Sequence, residues 1–201
     1  MYVARILFPV KVLGPGNRVG IWFDGCKHYC KGCSNPELWD FQECYRTDDE
    51  TIKKLICSIA EQHHIDGFTL TGGDPFLQPK ALREMLPFLN TISTDTLCYT
   101  GYLYEELKKK NEDILDQIAV LIDGRYIEAE NHHALLRGSD NQRILILRDE
   151  YQERYENYLQ TASNEIQNFR TRDSIISVGI HASDYDTKLK IKAAEMGFVE
   201  K

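Results

Sequence analysis

The sequence predicts an α/β protein built on a parallel sheet, and three observations carry that reading. Short β-branched, apolar runs alternate with segments of helical period, the early runs exit into loops of Gly, Asp or Thr, and no repeat or low-complexity tract interrupts the alternation. The first strand is VGIWF (19–23), which exits into Asp24-Gly25-Cys26. The segment 48–62 reads as a helix, with Ile52, Leu55, Ile56, Ile59 and Ala60 on one face behind a Thr47-x-x-Glu50 capping box. GFTLT (67–71) runs into Thr71-Gly72-Gly73-Asp74-Pro75, and a second amphipathic helix follows with Leu82, Met85, Leu86 and Leu89. TLCYT (96–100) ends at Thr100-Gly101, IAVLID (118–123) ends at Asp123-Gly124, and RILILR (143–148) is a further strand. Beyond it lie a helix carrying Tyr151, Tyr155, Tyr158 and Leu159, a strand SIISVGI (174–180) and a last helix around 185–196, a tail expected to extend the sheet or, alternatively, to dock a partner. Parallel strands with right-handed crossovers give either a doubly wound sheet or part of a β/α barrel. In both, function sits at the strand C-terminal ends, where four of these loops converge.

A chain of 201 residues with 42% hydrophobic and 27% charged residues is expected to form one domain with a real core. No apolar run approaches the ~18 residues needed to cross a bilayer, and MYVARILFPV carries Arg5 and Pro9 where a signal peptide has its apolar stretch. The expectation is a cytoplasmic protein without a membrane partner. A net charge of −7, with no basic stripe, argues against nucleic acid as a partner. Six cysteines in a reducing compartment are read as thiols or metal ligands before disulfides.

Cys26, Cys30 and Cys33 form a C-x3-C-x2-C pattern in GCKHYCKGCSN, directly after a strand. Three thiolates on one short loop can hold three irons of a [4Fe-4S] cubane and leave the fourth open, whereas an electron carrier supplies four cysteines. The competing reading is a Cys3His zinc site completed by His28, within a non-catalytic metal-binding module. A disulfide with a spare thiol is a weaker alternative. Cys44, Cys57 and Cys98 read as packed or surface thiols.

The cysteine triple followed about 40 residues later by a strand ending in TGGDP resembles the radical S-adenosylmethionine (SAM) superfamily. More narrowly, GPGNR (14–18), GCKHYCKGCSN (25–35), LTGGDP (70–75), YTGYLYEEL (99–107), VLIDGRYIE (120–128) and RGSDNQR (137–143) resemble, in order, the activating proteins of anaerobic class III ribonucleotide reductases. The resemblance implies a partial (β/α) barrel of about six strands, with 1–148 as the core and 149–201 as a C-terminal extension of one domain. It implies that Cys26, Cys30 and Cys33 ligate a [4Fe-4S] cluster. SAM would lie against Gly32, Cys33, Ser34, Gly72, Gly73, Asp74 and Pro75, with Thr100 and Asp123 near its carboxylate, by way of a monovalent cation. Gly14, Gly16, Arg18, Gly138, Ser139, Asn141 and Gln142 look like family signatures. This chain departs from the common pattern at Asp140 and at Leu136, where a tryptophan is usual. The implied activity is reductive cleavage of SAM to a 5′-deoxyadenosyl radical that makes a glycyl radical on a large partner enzyme, with flavodoxin or ferredoxin as electron donor. The alternative is a radical SAM enzyme acting on a small molecule or peptide.

Overall fold

Six strands form one sheet in strict chain order, which decides where the helices go. The computed structural model describes residues 1–171, 175–182 and 184–195. The strands are β1 (Val3–Val10), β2 (Arg18–Phe23), β3 (Gly67–Gly72), β4 (Thr96–Tyr99), β5 (Val120–Asp123) and β6 (Arg143–Ile146). The sheet is mixed, not wholly parallel: β2 through β5 run parallel, while β1 and β6 pair antiparallel at the two edges. When parallel strands follow one another without a reversal of order, right-handed crossovers place every connecting helix on the same face. The connections are α1 (Asp49–Gln62), α2 (Pro79–Asn90) and α3 (Tyr104–Leu115). Their apolar residues meet alternate residues of the sheet, Val19, Ile21, Phe23, Phe68, Leu70, Cys98 and Leu121, in a single core. Leu82, Leu86 and Ile56 are fully buried there, each contributing about 1.5–3 kcal/mol of transfer free energy.

β1 escaped the sequence reading because Arg5 and Pro9 break its apolar alternation. As an edge strand it tolerates both, since one side of its backbone needs no partner. α1 begins one residue later than the capping box implies. Asp48, not Thr47, is the N-cap, its carboxylate accepting from the Thr51 backbone N–H at 2.8 Å and the Thr51 hydroxyl at 2.9 Å. Thr47 is occupied elsewhere, its N–H bonding the Met1 carbonyl at 2.9 Å. Leu55, expected on the buried face, is 46% exposed, while Ile52 and Ile56 lie under the sheet.

The C-terminal third does not extend the sheet, contrary to the expectation for SIISVGI. α4 (Gln152–Thr161) crosses the face opposite α1–α3, and Tyr155 joins a second core with Leu97, Val120, Ile122 and Leu136. β7 (Gln167–Arg170) and β8 (Ile175–Val178) pair only with each other, antiparallel. They bury Val178, Ile176 and Phe169 against Val10, Leu13, Trp22 and Leu38. β8 runs opposite to its neighbour in sequence and satisfies its ladder locally, so neither sheet edge gains a strand. Ser174, the first residue of the expected strand, lies outside the described residues. α5 (Tyr185–Glu195) follows; residue 196 of the expected last helix also lies outside them. No helix among the described residues is long and apolar enough to cross a membrane.

A buried ion network ties α4 to the sheet. Arg18 is wholly buried, its Nε donating to Thr69 Oγ1 at 2.8 Å and a terminal nitrogen to the Phe68 carbonyl at 2.6 Å, with Asp95 Oδ2 at 3.2 Å. Asp95 also accepts from the Tyr155 hydroxyl at 2.7 Å and pairs with Arg154 at 3.1 Å. A buried guanidinium is tolerated only when so fully paired.

Candidate metal and cofactor site

The C-terminal ends of β2, β3 and β4 open into one cavity of about 190 Å³, lined by Cys26, Cys30 and Cys33 together with Gly72, Gly73 and Thr100. The parallel register forces this convergence. Phe23 pairs with Gly72, so the two loops leave the sheet side by side and continue its ladder past the strands: Gly73 N–H bonds the Phe23 carbonyl, and Asp74 N–H the Gly25 carbonyl, both at 2.8 Å. The cysteine loop is pinned on its other side by Gly25 N–H to the Leu38 carbonyl (3.0 Å) and Cys26 N–H to the Trp39 carbonyl (2.7 Å).

Glycine is required in this seam because two backbones touch. A Cβ on Gly73 would stand 2.3 Å from the Gly25 carbonyl oxygen, and one on Gly72, at φ +105°, 2.4 Å from that of Phe23. From the sequence, the glycine pair is explained by close approach to a ligand. In the fold its first constraint is close approach to the cysteine loop.

Asp74 is the hub of the site. It is 1% exposed. Its Oδ1 accepts from the Phe76 N–H at 2.9 Å and the Thr100 hydroxyl at 3.0 Å; its Oδ2 accepts from the Gly101 N–H at 2.9 Å and faces His28 Nε2 at 2.9 Å. One carboxylate therefore fastens the loops after β2, β3 and β4 to one another. A carboxylate acceptor makes His28 Nε2 the protonated nitrogen. His28 also packs edge-on against Tyr102, ring centroids 4.6 Å apart, and a Cβ on Gly101 would strike its ring.

The cysteines differ in their surroundings. Burial pushes the Cys26 thiol up to about 11, against a backbone hydrogen bond at His28 that lowers it. Burial likewise raises Cys33, while the Asn35 N–H, 3.4 Å from its sulfur, and the Trp39 indole oppose the shift. Such N–H donors favour the thiolate, which is the metal-ligating form. All six cysteines are free thiols, so no disulfide forms among them.

The donor set fits an iron–sulfur cluster better than zinc. A structural zinc needs four donors converging on one ion, with sulfurs at about 2.3 Å; among the described residues no three His, Cys, Asp or Glu side chains converge so. His28, the fourth donor of the zinc reading, faces Asp74 through Nε2, and its Nδ1 is buried without a partner. In a cubane each cysteine binds a different iron, so three thiols ringing a cavity suit it.

The remaining expected residues divide. Ser34, Gly138 and Gln142 line the cavity, whereas Gly32, Pro75 and Asp123 do not. Asp123 is fully buried, in an ion pair with Arg143 and accepting from the Tyr104 N–H at 2.7 Å. Gly14, Gly16 and Arg18 lie apart from the cavity: that loop wraps the buried guanidinium, which also donates to the Pro15 carbonyl at 3.2 Å. Gln142 braces the loop after β5, its Oε1 accepting from the Gly138 N–H and its Nε2 donating to the Gly124 carbonyl, both at 2.8 Å. Asn141 donates to the Arg125 carbonyl at 2.8 Å, and Ser139 Oγ accepts from the Ile127 N–H at 3.0 Å. Sequence reasoning missed Tyr99, Tyr126 and the five residues from Ser177 to His181, all of which line the cavity. Tyr99 carried a signal, as the residue preceding Thr100 on a predicted strand; the tail segment carried none.

Comparison with known proteins places this architecture in a class. Residues 12–145 match the family described as 4Fe-4S single cluster domain, which takes in all three cysteines and both glycine loops. Anaerobic ribonucleoside-triphosphate reductase-activating proteins are similar over nearly their whole length: that of Haemophilus influenzae is 36% identical over 145 residues, 68% of this chain and 93% of the relative. That of phage T4 is 36% identical over 138 residues (66% and 86%), and that of Escherichia coli 31% over 152 residues (70% and 96%). The chain belongs to this family of reductase-activating proteins.

Proposed function

We propose that this chain is a radical SAM enzyme whose six-stranded sheet curls as a partial (β/α) barrel and whose task is to install a glycyl radical on an anaerobic ribonucleotide reductase. The observation that carries the reading is the seam at residues 23–25 and 72–74, which sets a three-cysteine loop and a Gly-Gly loop on one cavity. Cys26, Cys30 and Cys33 would hold a [4Fe-4S] cluster with one iron free of protein ligands. When bound, that cluster supplies one electron to SAM, giving methionine and a 5′-deoxyadenosyl radical.

The chain's own residues bind, orient and exclude. Gly72 and Gly73 bring bare backbone to the cavity edge, where their carbonyls could meet an ammonium group of the ligand. Asp74 spends its oxygens on Phe76, Thr100, Gly101 and His28, so its part is to fix loop positions and not to contact the ligand. Thr100 presents its backbone to the cavity while its hydroxyl is held by Asp74. Trp22, Leu13 and Val178 supply apolar wall that keeps water from a reactive carbon. The partner is a large glycyl-radical enzyme. The electron donor is a low-potential flavodoxin or ferredoxin, and the working compartment is the cytoplasm.

The test is anaerobic reconstitution with iron and sulfide, reduction in the presence of SAM, and assay of 5′-deoxyadenosine. Wild type should form it, and Cys26→Ala, Cys30→Ala and Cys33→Ala should not, whereas Cys44→Ala and Cys57→Ala should keep both cluster and cleavage. Adding anaerobic ribonucleotide reductase should then produce a glycyl-radical electron paramagnetic resonance signal. Tight zinc binding without cleavage would overturn the proposal.

A further inference from the structure

One wall of the cavity comes from outside the family match. Five consecutive residues, Ser177 to His181, line the same cavity as the three cysteines, yet the match ends at residue 145. The relatives complete 86–96% of their own length within 66–70% of this chain. About a third of this chain, including this wall, is thus added to a site that the relatives build without it.

The added segment is built as a strap and anchored on both sides of the cavity. At one end the Gln167 side chain donates to the Pro9 carbonyl at 2.7 Å and accepts from the Lys11 N–H at 2.9 Å. Val178 fills a core with Val10, Leu13, Trp22 and Leu38. At the other end Asn131 Nδ2 donates to the His181 carbonyl and His133 Nε2 to the Ile180 carbonyl, both at 3.0 Å. Two of its polar side chains are held within the strap's own surroundings: Ser177 Oγ bonds Asn168 at 2.7 Å, and the His181 ring stacks on Tyr185 at 4.1 Å. The strap brings neither thiol nor carboxylate to the cavity, and its one ionisable side chain there is the His181 imidazole. What it alters is shape.

We infer that residues 177–181 form a partner-selecting wall, against which the glycine-bearing segment of the activated enzyme packs when it enters the cavity. The inference rests on the proposed function, since only a macromolecular substrate must thread a chain segment to the reacting carbon. A strap across one side admits an extended segment with small side chains and rejects a bulkier or differently routed one, so selectivity arises from exclusion as much as from contact. This chain should accordingly discriminate among reductases more sharply than its strapless relatives.

The test uses the full-length, cluster-loaded protein and the variants Gln167→Ala/Asn131→Ala and Gly179→Val. The double variant cuts both anchors at residues that do not line the cavity. In Gly179→Val an added Cβ would lie 2.4 Å from the Glu165 carbonyl oxygen, at φ +145°, so the strap must shift even if the double variant unfolds. Affinity is measured for the anaerobic reductase of the same organism and for that of Escherichia coli, alongside partner-free deoxyadenosine formation. Wild type is expected to prefer its own reductase by at least tenfold. The double variant should lose most of that preference while its iron content and partner-free cleavage stay within twofold. An unchanged preference in both variants, no preference in wild type, or loss of partner-free cleavage parallel to loss of binding would overturn the inference. Absence of deoxyadenosine from the wild type would instead overturn the proposed function, and the affinity ratio would still judge the strap.

Discussion

Replacing Asp74 by Asn keeps the size of the side chain and removes the acceptor on which the three loops converge. With the amide oxygen at the Oδ1 position, the Phe76 N–H and the Thr100 hydroxyl keep a partner. The amide NH2 then faces the Gly101 N–H and His28 Nε2. His28 can adapt by exchanging tautomers, but the Gly101 N–H has no such freedom. Leaving that donor unsatisfied costs about 1–3 kcal/mol, and turning the charge-assisted bonds at Phe76 and Thr100 into neutral ones adds about 1 kcal/mol. The sum, about 2–4 kcal/mol, is a sizeable part of the roughly 5–15 kcal/mol that holds a domain together. For a chain of this size it corresponds to a Tm lower by about 4–16 °C. The assay is anaerobic thermal unfolding of the metal-free protein, so that cluster loss does not contribute. A Tm within about 2 °C of wild type would refute the assignment of Asp74 as the fastener of these loops.

Three further outcomes follow from the contacts described above. Tyr155→Phe removes a buried bond to Asp95 and should lower the free energy of urea unfolding by about 1.5–3 kcal/mol, the range for a charged acceptor; an effect under about 0.5 kcal/mol would show that this bond does not hold α4 to the sheet. Bonding to Arg143 holds the Glu105 carboxyl at about 2 against an ordinary 4.5, and a depressed carboxylate stabilises the fold above its unfolded value and loses that effect as pH falls through the folded one. The Tm gap between wild type and Glu105→Gln should therefore be full at pH 6 and close between about pH 4.5 and 2; a gap independent of pH would count against the pair. In metal-free protein at pH 8, iodoacetamide should label exposed Cys44 and Cys57 first and Cys26 and Cys98 last, because burial raises both of the latter thiols and encloses them. Mass spectrometry showing Cys26 labelled as fast as Cys44 would contradict the buried placement.

What was legible in the sequence depended on whether a residue's environment is local. β2 to β5 are buried on both faces, so they read as unbroken apolar runs, and the three cysteines announce themselves by spacing alone. The edge strand β1 was hidden because an edge accepts Arg5 and Pro9 without penalty. The β7–β8 hairpin was half-legible: SIISVGI has strand composition, but QNFR does not, and nothing local says that its partner is that segment and not the main sheet. Asp123 and Arg18 show the opposite error. Both look like site residues because they stand beside signature motifs, yet each is neutralised inside the protein, Asp123 by Arg143 and Arg18 by Asp95.

The seam between the two loops explains why the motifs must occur together. Phe23 and Gly72 end adjacent parallel strands in register, so the residues that follow, Asp24-Gly25 and Gly73-Asp74, come within backbone bonding distance. A side chain at position 73 would push Gly25 away, and Cys26 would move with it. The cysteine loop and the glycine loop are therefore one mechanical unit, which a substitution on either side disturbs as a whole. Asp74 extends the unit to β4 by way of Thr100 and Gly101, and His28 closes it back onto the cysteine loop. The ring engages His28 through Nε2 alone, and its Nδ1 stays buried without a partner.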